Sequence, residues 1–237
     1  MRQSGKLLAT VLAHLKKRLT AEMTTKDLSD IAMVELKKLG GKPAFLGYQG
    51  FPDVICISLN DEVVHGIPSA KRVIKEGDIV SLDFGVNYQG MITDAAISLV
   101  VGEAQPAVKK LVRDTERSLL LGIQAIHGGV HVGDIGSAIE KELNKEHYGI
   151  VRDLVGHGVG HDLHEDPNIP NYGYPGMGIM LKTNMTIAIE PMATLGGHQV
   201  YVDEDGWTIK TQDGSWAAHF EHTVLILDAG AEILTTM

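Results

Sequence analysis

A chain with one cysteine cannot form an internal disulfide, and Cys56 is the only cysteine among these 237 residues. That usage fits a reducing compartment. Cys56 sits in the apolar run Val54–Ile57 and reads as a small buried hydrophobe of a strand. Excess positive charge is also lacking. A net charge of −9 argues against a nucleic-acid backbone as the main partner, so no DNA is expected. No apolar run approaches the length of a membrane span. Leu7–Ala13 looks like the apolar region of a signal sequence, but His14, Lys16, Lys17 and Arg18 follow it without a small-residue cleavage site. The expectation is a cytoplasmic protein. No low-complexity linker divides the chain, so residues 1–237 are read as a single domain.

The hydrophobic content of 44% and charged content of 22% are those of an ordinary globular protein. Leu8, Leu12, Leu15 and Leu19 recur at helical spacing. Thr24-Thr25-Lys26-Asp27 has the form of a capping box ahead of a second helical stripe that Gly40-Gly41 ends. A strand-like region runs from about Pro43 to Val101. Pro106 then opens another helix, which Gly128-Gly129 breaks, and a further helix through Ile135, Ile139 and Leu143 ends near Gly149. From Ile150 onward the pattern is strands and turns. Two α+β halves of similar construction follow from that order.

An internal echo supports the two halves. Gly77–Phe84 resembles Asn184–Pro191, each an alternating apolar strand with a carboxylate near its end, Asp83 or Glu190. Asp94–Gly102 resembles the run that begins at Glu221, so Asp94 and Glu221 are taken as equivalent. A lone ion among such apolar neighbours carries a large desolvation cost. No Arg or Lys in these strands offsets it. Divalent metal is the natural compensation, and oxygen-rich ligation with one or two imidazoles suits cobalt, manganese, iron or zinc. For any single acid, a solvent-facing strand end is the better reading; recurrence in both halves shifts the balance.

LDFGVNYQGMITDAA, GHGVGHDLHEDPNIPNYG, IAIEPM and HFEHT, with PAFLGYQGFP and SLNDEVVHGIP, resemble the successive signatures of the type I methionine aminopeptidases across nearly the whole chain. The resemblance implies the pita-bread fold, an α+β architecture of two pseudo-symmetric halves around a dinuclear site. It implies that two divalent ions are held by Asp83, Asp94, His157, Glu190 and Glu221, with Asp94 and Glu221 bridging. It further implies that His65 contacts the scissile amide, that His164 binds the substrate carbonyl, and that Glu190 moves the proton to the leaving amine. Phe45, Tyr48, Phe51, Leu163 and Trp207 would surround the methionine side chain. Phe45 stands where some members have cysteine, Phe51 where they have tyrosine, and Leu163 where they have phenylalanine. His219 and Ala188 replace polar residues beside the ligand glutamates. The implied reaction removes the N-terminal methionine from peptides and nascent proteins, with the ribosome as a possible partner and a monomer as the expected state. The chain opens at the family's Met-Arg-x-x-Gly segment without the short leader of many members; a natural short start and a trimmed one fit equally.

Two other readings stay open at this level. Xaa-Pro peptidases share the fold, although they usually carry an extra N-terminal domain and a motif unlike HFEHT. A catalytically dead relative would act as a binding module, although such a protein is expected to have lost ligands. The three histidines of Gly156–Glu165 divide on this reading: His157 is a ligand, His164 a carbonyl contact brought back by a turn after Gly160, and His161 a bystander.

Overall fold

The computed structural model describes residues 1–127 and 129–237; Gly128, expected with Gly129 to break a helix, lies outside the described residues. Two helices lead, α1 (Arg2–Arg18) and α2 (Thr25–Lys38), followed by β1 (Lys42–Pro43), β2 (Cys56–Leu59), β3 (Glu62–Val64), β4 (Ile79–Tyr88) and β5 (Met91–Val100). The second half repeats the order with α3 (Pro106–Gln124), α4 (Val132–Leu143), β6 (Gly149–Ile150), β7 (Gly156–Gly158), β8 (Glu165–Ile169) and β9 (Thr186–Ile189). It closes with β10 (Met192–Thr194), β11 (Val200–Val202), β12 (Ile209–Thr211), β13 (Ala217–His219), β14 (His222–Leu227) and β15 (Gly230–Ile233). The capping box is present: the Thr24 hydroxyl accepts from the Asp27 N–H, and the Thr24 N–H donates to Asp27 Oδ2 at 2.7 Å. Pro106 is the first residue of α3, where its missing N–H costs nothing. The fourth helix stops at Leu143, earlier than Gly149, and a short 3₁₀ turn carries on to Glu146.

Alternation along the strands decides which side of each sheet becomes a core and which becomes a site. In β4, Val80, Leu82, Phe84 and Val86 pack with Leu8, Leu15, Leu28 and Leu36 of the first two helices. The intervening residues, Asp83 among them, face the other way. The same parity holds in β5, where Ala95 joins that core and Asp94 does not. In the second half, Ile187, Ile189, Val224 and Ile226 pack with Leu119, Ile135 and Ile139 of α3 and α4. Glu190, Glu221 and His219 fall on the opposite parity.

The sheets of the two halves, β1-β4-β2 with β5, and β15-β14-β9-β7-β8, meet where β5 approaches the β13–β14 segment. Ala96 and Glu221 exchange both backbone hydrogen bonds, at 2.9 and 3.3 Å. To one side the Thr223 hydroxyl bridges the Asp94 backbone, accepting its N–H and donating to its C=O. To the other, the Ser98 hydroxyl does the same for His219. A local two-fold therefore exchanges Ala96 with Glu221, Ser98 with Thr223, and Asp94 with His219. Asp83 lies opposite Ala96, and the β9–β14 register, carried one step past Ile189 and His222, sets Glu190 opposite Glu221. Asp83 and Glu190 are thus equivalent, as the echo proposed. Asp94 and Glu221 are not: the sequence pairing is two residues out of register. A shift of two preserves the face of a strand, which is why the echo still located two acids of one site. Asp83 and Asp94 also sit mid-strand rather than near strand ends, because β4 and β5 form a long hairpin paired from Ile79–Val100 to Tyr88–Met91.

Candidate metal centre and substrate pocket

The acids on the common face converge. Asp83 and Asp94 are diagonal neighbours in the β4–β5 ladder, Asp83 pairing with Ala96 and Asp94 with Gly85. Beside them, His157 of β7 pairs with Ala188 of β9, which sets its imidazole on the same face two residues before Glu190. Glycine on either side of His157 is a packing requirement. A Cβ on Gly156 would lie 2.3 Å from the Ala188 carbonyl oxygen, and one on Gly158 2.3 Å from that of Asp166. Candidate ligand atoms of Asp94, His157 and Glu221 lie within 4.8 Å of one another. Asp83 and Glu190 line the same pocket.

The electrostatics of this cluster are those of a cation site. Burial, then Asp94 and Glu190, holds the Asp83 carboxyl well above the ordinary carboxylate range. Burial raises Asp94 to about 7, and burial with neighbouring carboxylates raises Glu190 and Glu221. Asp83 Oδ1, Asp94 Oδ1 and Glu221 Oε1 are buried without a hydrogen-bond partner. Among the described residues, the ion-pair partners of Glu190 are imidazoles: His157 at Oε1 and His219 at Oε2, each at 3.6 Å. Burial, with His164 nearby, lowers His157 to about 4, so the ring is neutral. A hydrogen bond of 2.9 Å between its Nδ1 and the Gly158 carbonyl commits the proton to Nδ1. Nε2 is left as a lone pair, the form in which histidine ligates metal. Orphaned carboxylate oxygens around a neutral imidazole are a donor set that divalent ions satisfy.

One stability consequence follows for the metal-free protein. The raised carboxylates hold protons in the folded state that the unfolded chain has released, which favours folding at low pH. The buried imidazoles of His65 and His157, lowered to about 4 from 6.5, oppose this between those values, since folding there requires proton release. Above pH 6.5 the imidazoles are neutral in both states, so the carboxylates act alone. The melting temperature of the chelated protein is expected to fall from pH 6.5 to 8. With metal bound the decline should shrink, because ions displace those protons. A chelated protein whose melting temperature rises across that window would contradict this.

The rest of the pocket adjoins the acids. His65 has φ +60°, a left-handed backbone rare for a non-glycine residue and of the kind found at functional sites. Burial, then His164, lowers it to about 4. The chain reverses after Gly160, whose N–H bonds the Asp162 carbonyl, while the N–H groups of His161 and Asp162 both donate to Glu165 Oε1. That turn brings the His164 ring to 4.3 Å from the His157 ring, edge-on, and leaves His161 exposed. Tyr48 Oη bonds His164 Nδ1 at 2.8 Å. An apolar corner stands alongside, with Phe51 edge-on to Phe45 at 6.5 Å and to Trp207 at 5.2 Å. Leu163 completes it. Every sequence-predicted site residue therefore lines one pocket. Sequence reasoning missed two more, Gln49 and Cys56. Cys56 is buried as expected, but its β2 position opposite Asp83 turns it to the site face; the alternation of Cys-Ile-Ser-Leu carried that signal.

Buried acids that could hold a metal lie on the inner face of paired α+β halves, and the model of metallopeptidase family M24 matches residues 1–228. The chain belongs to that family, has its pita-bread fold, and within it belongs with the methionine aminopeptidases. It is 46% identical over 235 residues to the methionine aminopeptidase of Clostridium acetobutylicum, covering 99% of this chain and 94% of that one. The crystal structure of the methionine aminopeptidase from Thermotoga maritima superposes with a TM-score of 0.98 at 48% identity, covering 100% of this chain and 95% of the other. The prolidase from Pyrococcus furiosus shares the fold, with a TM-score of 0.78 at 22% identity, but this chain covers only 62% of it.

Proposed function

We propose that this chain hydrolyses the peptide bond after an N-terminal methionine, using two divalent ions held by Asp83, Asp94, His157, Glu190 and Glu221. One observation carries the reading: a buried wall of unpaired carboxylates and neutral imidazoles abuts an apolar corner of Phe45, Phe51, Leu163 and Trp207 within a single pocket. Asp83, Asp94, Glu190 and Glu221 would supply carboxylate oxygens, and His157 its Nε2 lone pair, to hold these ions. Bound divalent ions supply Lewis acidity and lower the pKa of water toward neutrality.

The chain's own groups do the rest. Glu190 accepts the proton of the attacking water and delivers it to the leaving amine. If the Tyr48 hydroxyl donates to His164 Nδ1, the ring proton is at Nε2, where it donates to the substrate carbonyl oxygen as charge develops. His65 positions the scissile nitrogen. The methionine side chain rests among Phe45, Tyr48, Phe51, Leu163 and Trp207, its thioether against aromatic edges. Residues 1–237 act as one catalytic unit, supported by the β5–β14 junction and by Ile97, which packs against both helical cores. We place it as a cytoplasmic monomer acting on peptides and on nascent chains at the ribosome, with cobalt, manganese, iron or zinc as the ion.

The test is turnover of a Met-Ala peptide after chelation and separate re-addition of each ion. Restoration by at least one ion is expected; activity that persists in the chelated protein would remove the metal from the mechanism. Met-Gly-Met-Met should be cut and Xaa-Pro peptides spared. The reverse pattern would move the activity to the proline-specific branch of the fold.

A further inference from the structure

His219 has no role in the reaction above, yet its surroundings single it out. It ends β13 two residues before Glu221, so strand alternation turns both side chains to the carboxylate face. The residue is 1% exposed, and neither ring nitrogen has a hydrogen-bond partner. A buried polar group left in that state calls for an explanation. Its nearest charged neighbour is Glu190, with His219 Nε2 at 3.6 Å from Oε2.

The two imidazoles that flank Glu190 differ in one respect. His157 has its proton held at Nδ1 by the Gly158 carbonyl, so its Nε2 faces Glu190 as a lone pair. No carbonyl holds the His219 proton at Nδ1. A lone pair at His219 Nε2 would face the lone pairs of a carboxylate, whereas a proton there makes a donor. Electrostatics therefore favours the Nε2–H tautomer for His219. By the local two-fold, His219 occupies the place that Asp94 holds in the other half. It nonetheless does not line the pocket that Asp83, Asp94, His157, Glu190 and Glu221 share, which argues for a donor to a ligand rather than a further ligand.

We propose that His219 is a positioning residue for Glu190: a proton on its Nε2 faces Oε2 across 3.6 Å and, by closing to a donor contact when Glu190 serves as a metal ligand, fixes that carboxylate so that Oε1 stays on the His157 side. The proposal rests on the reading of Glu190 as a metal ligand. Partners of this kind set ligand orientation and basicity, and their loss typically lowers metal affinity about 10- to 100-fold.

Co(II) affinity of the metal-free full-length chain, read by competition with a chromophoric chelator, tests this alongside the electronic spectrum of the Co(II)-loaded protein. His219→Gln places an amide N–H near the Nε2 position, and His219→Asn places one near Nδ1. The Gln chain should bind Co(II) within about threefold of the parent with its spectrum retained, and the Asn chain about 10- to 100-fold more weakly with a shifted spectrum. Circular dichroism establishes that each is folded, and His219→Leu replaces the Asn chain if that one is not. Parent-like affinity in the Asn or Leu chain would overturn the proposal. So would a folded Gln chain as weak as the Asn chain, which would make the imidazole itself the needed group. Glu190→Gln separates the two levels: weaker binding there beside an unchanged Asn chain sinks only the positioning role, whereas unchanged binding in Glu190→Gln sinks the ligand reading as well.

Discussion

Glu221→Gln is expected to lower kcat/KM for a Met-Ala peptide at least a thousandfold at saturating parent-level metal. Glu221 is 2% exposed, and its Oε1 has no partner within the protein. Its neighbours Asp94, Glu190 and Asp83 are all negative or protonated, so its charge has value only toward cations. An amide of the same shape keeps the packing and removes that charge, so ion positioning is lost rather than the fold. Metal-assisted stabilisation is worth several kcal/mol; losing about 4 of it corresponds to about a thousandfold in rate. Peptide kinetics together with metal titration decide the matter. A Glu221→Gln chain that binds as much metal as the parent and turns over at more than a tenth of the parental rate would exclude Glu221 as a needed metal ligand.

His164→Ala should act differently, cutting kcat about 10²- to 10³-fold, the usual cost of one donor to a developing oxyanion, while KM moves little. The ring is held edge-on to His157 and anchored by Tyr48, yet the residue as a whole remains exposed, so truncation should leave the melting temperature nearly unchanged. Tyr48→Phe removes the anchor but not the ring and should lose less than His164→Ala. The kinetic split is the discriminating readout: a rise in KM with kcat preserved would make His164 a binding group for the ground state instead.

Much of this site was legible in the linear chain because its signals are local. One acid in an apolar strand, such as Asp83 between Leu82 and Phe84, can face solvent, but its recurrence as Glu190 in the second half pointed to a shared need for compensation. The turn that returns His164 to His157 was likewise readable, since glycines at 156, 158 and 160 argue against a helix and a straight strand would carry the two rings apart. Illegible were the features that depend on which strand lies beside which. The echo matched Asp94 with Glu221 by similarity of the following apolar runs. The β5–β14 junction shows instead that Asp94 matches His219, because Ala96 and Glu221 share the backbone hydrogen bonds at the axis. Cys56 was read correctly as buried, but nothing in its own neighbourhood states that Asp83 lies across the ladder from it.

His157 and the ligand roles came only with the family resemblance; residue type and apolar strand context were enough to single out Asp83, Asp94, Glu190 and Glu221 as acids in need of compensation. That need follows from desolvation cost and strand geometry, which act over a few residues. Register between distant strands, the unpaired nitrogens of His219 on the far side of Glu190, and the meeting of the apolar corner with the acids required the folded chain. They are set by hydrogen-bond ladders and loop closures between segments more than a hundred residues apart, such as Asp94 with Thr223, and no local pattern encodes a partner at that distance.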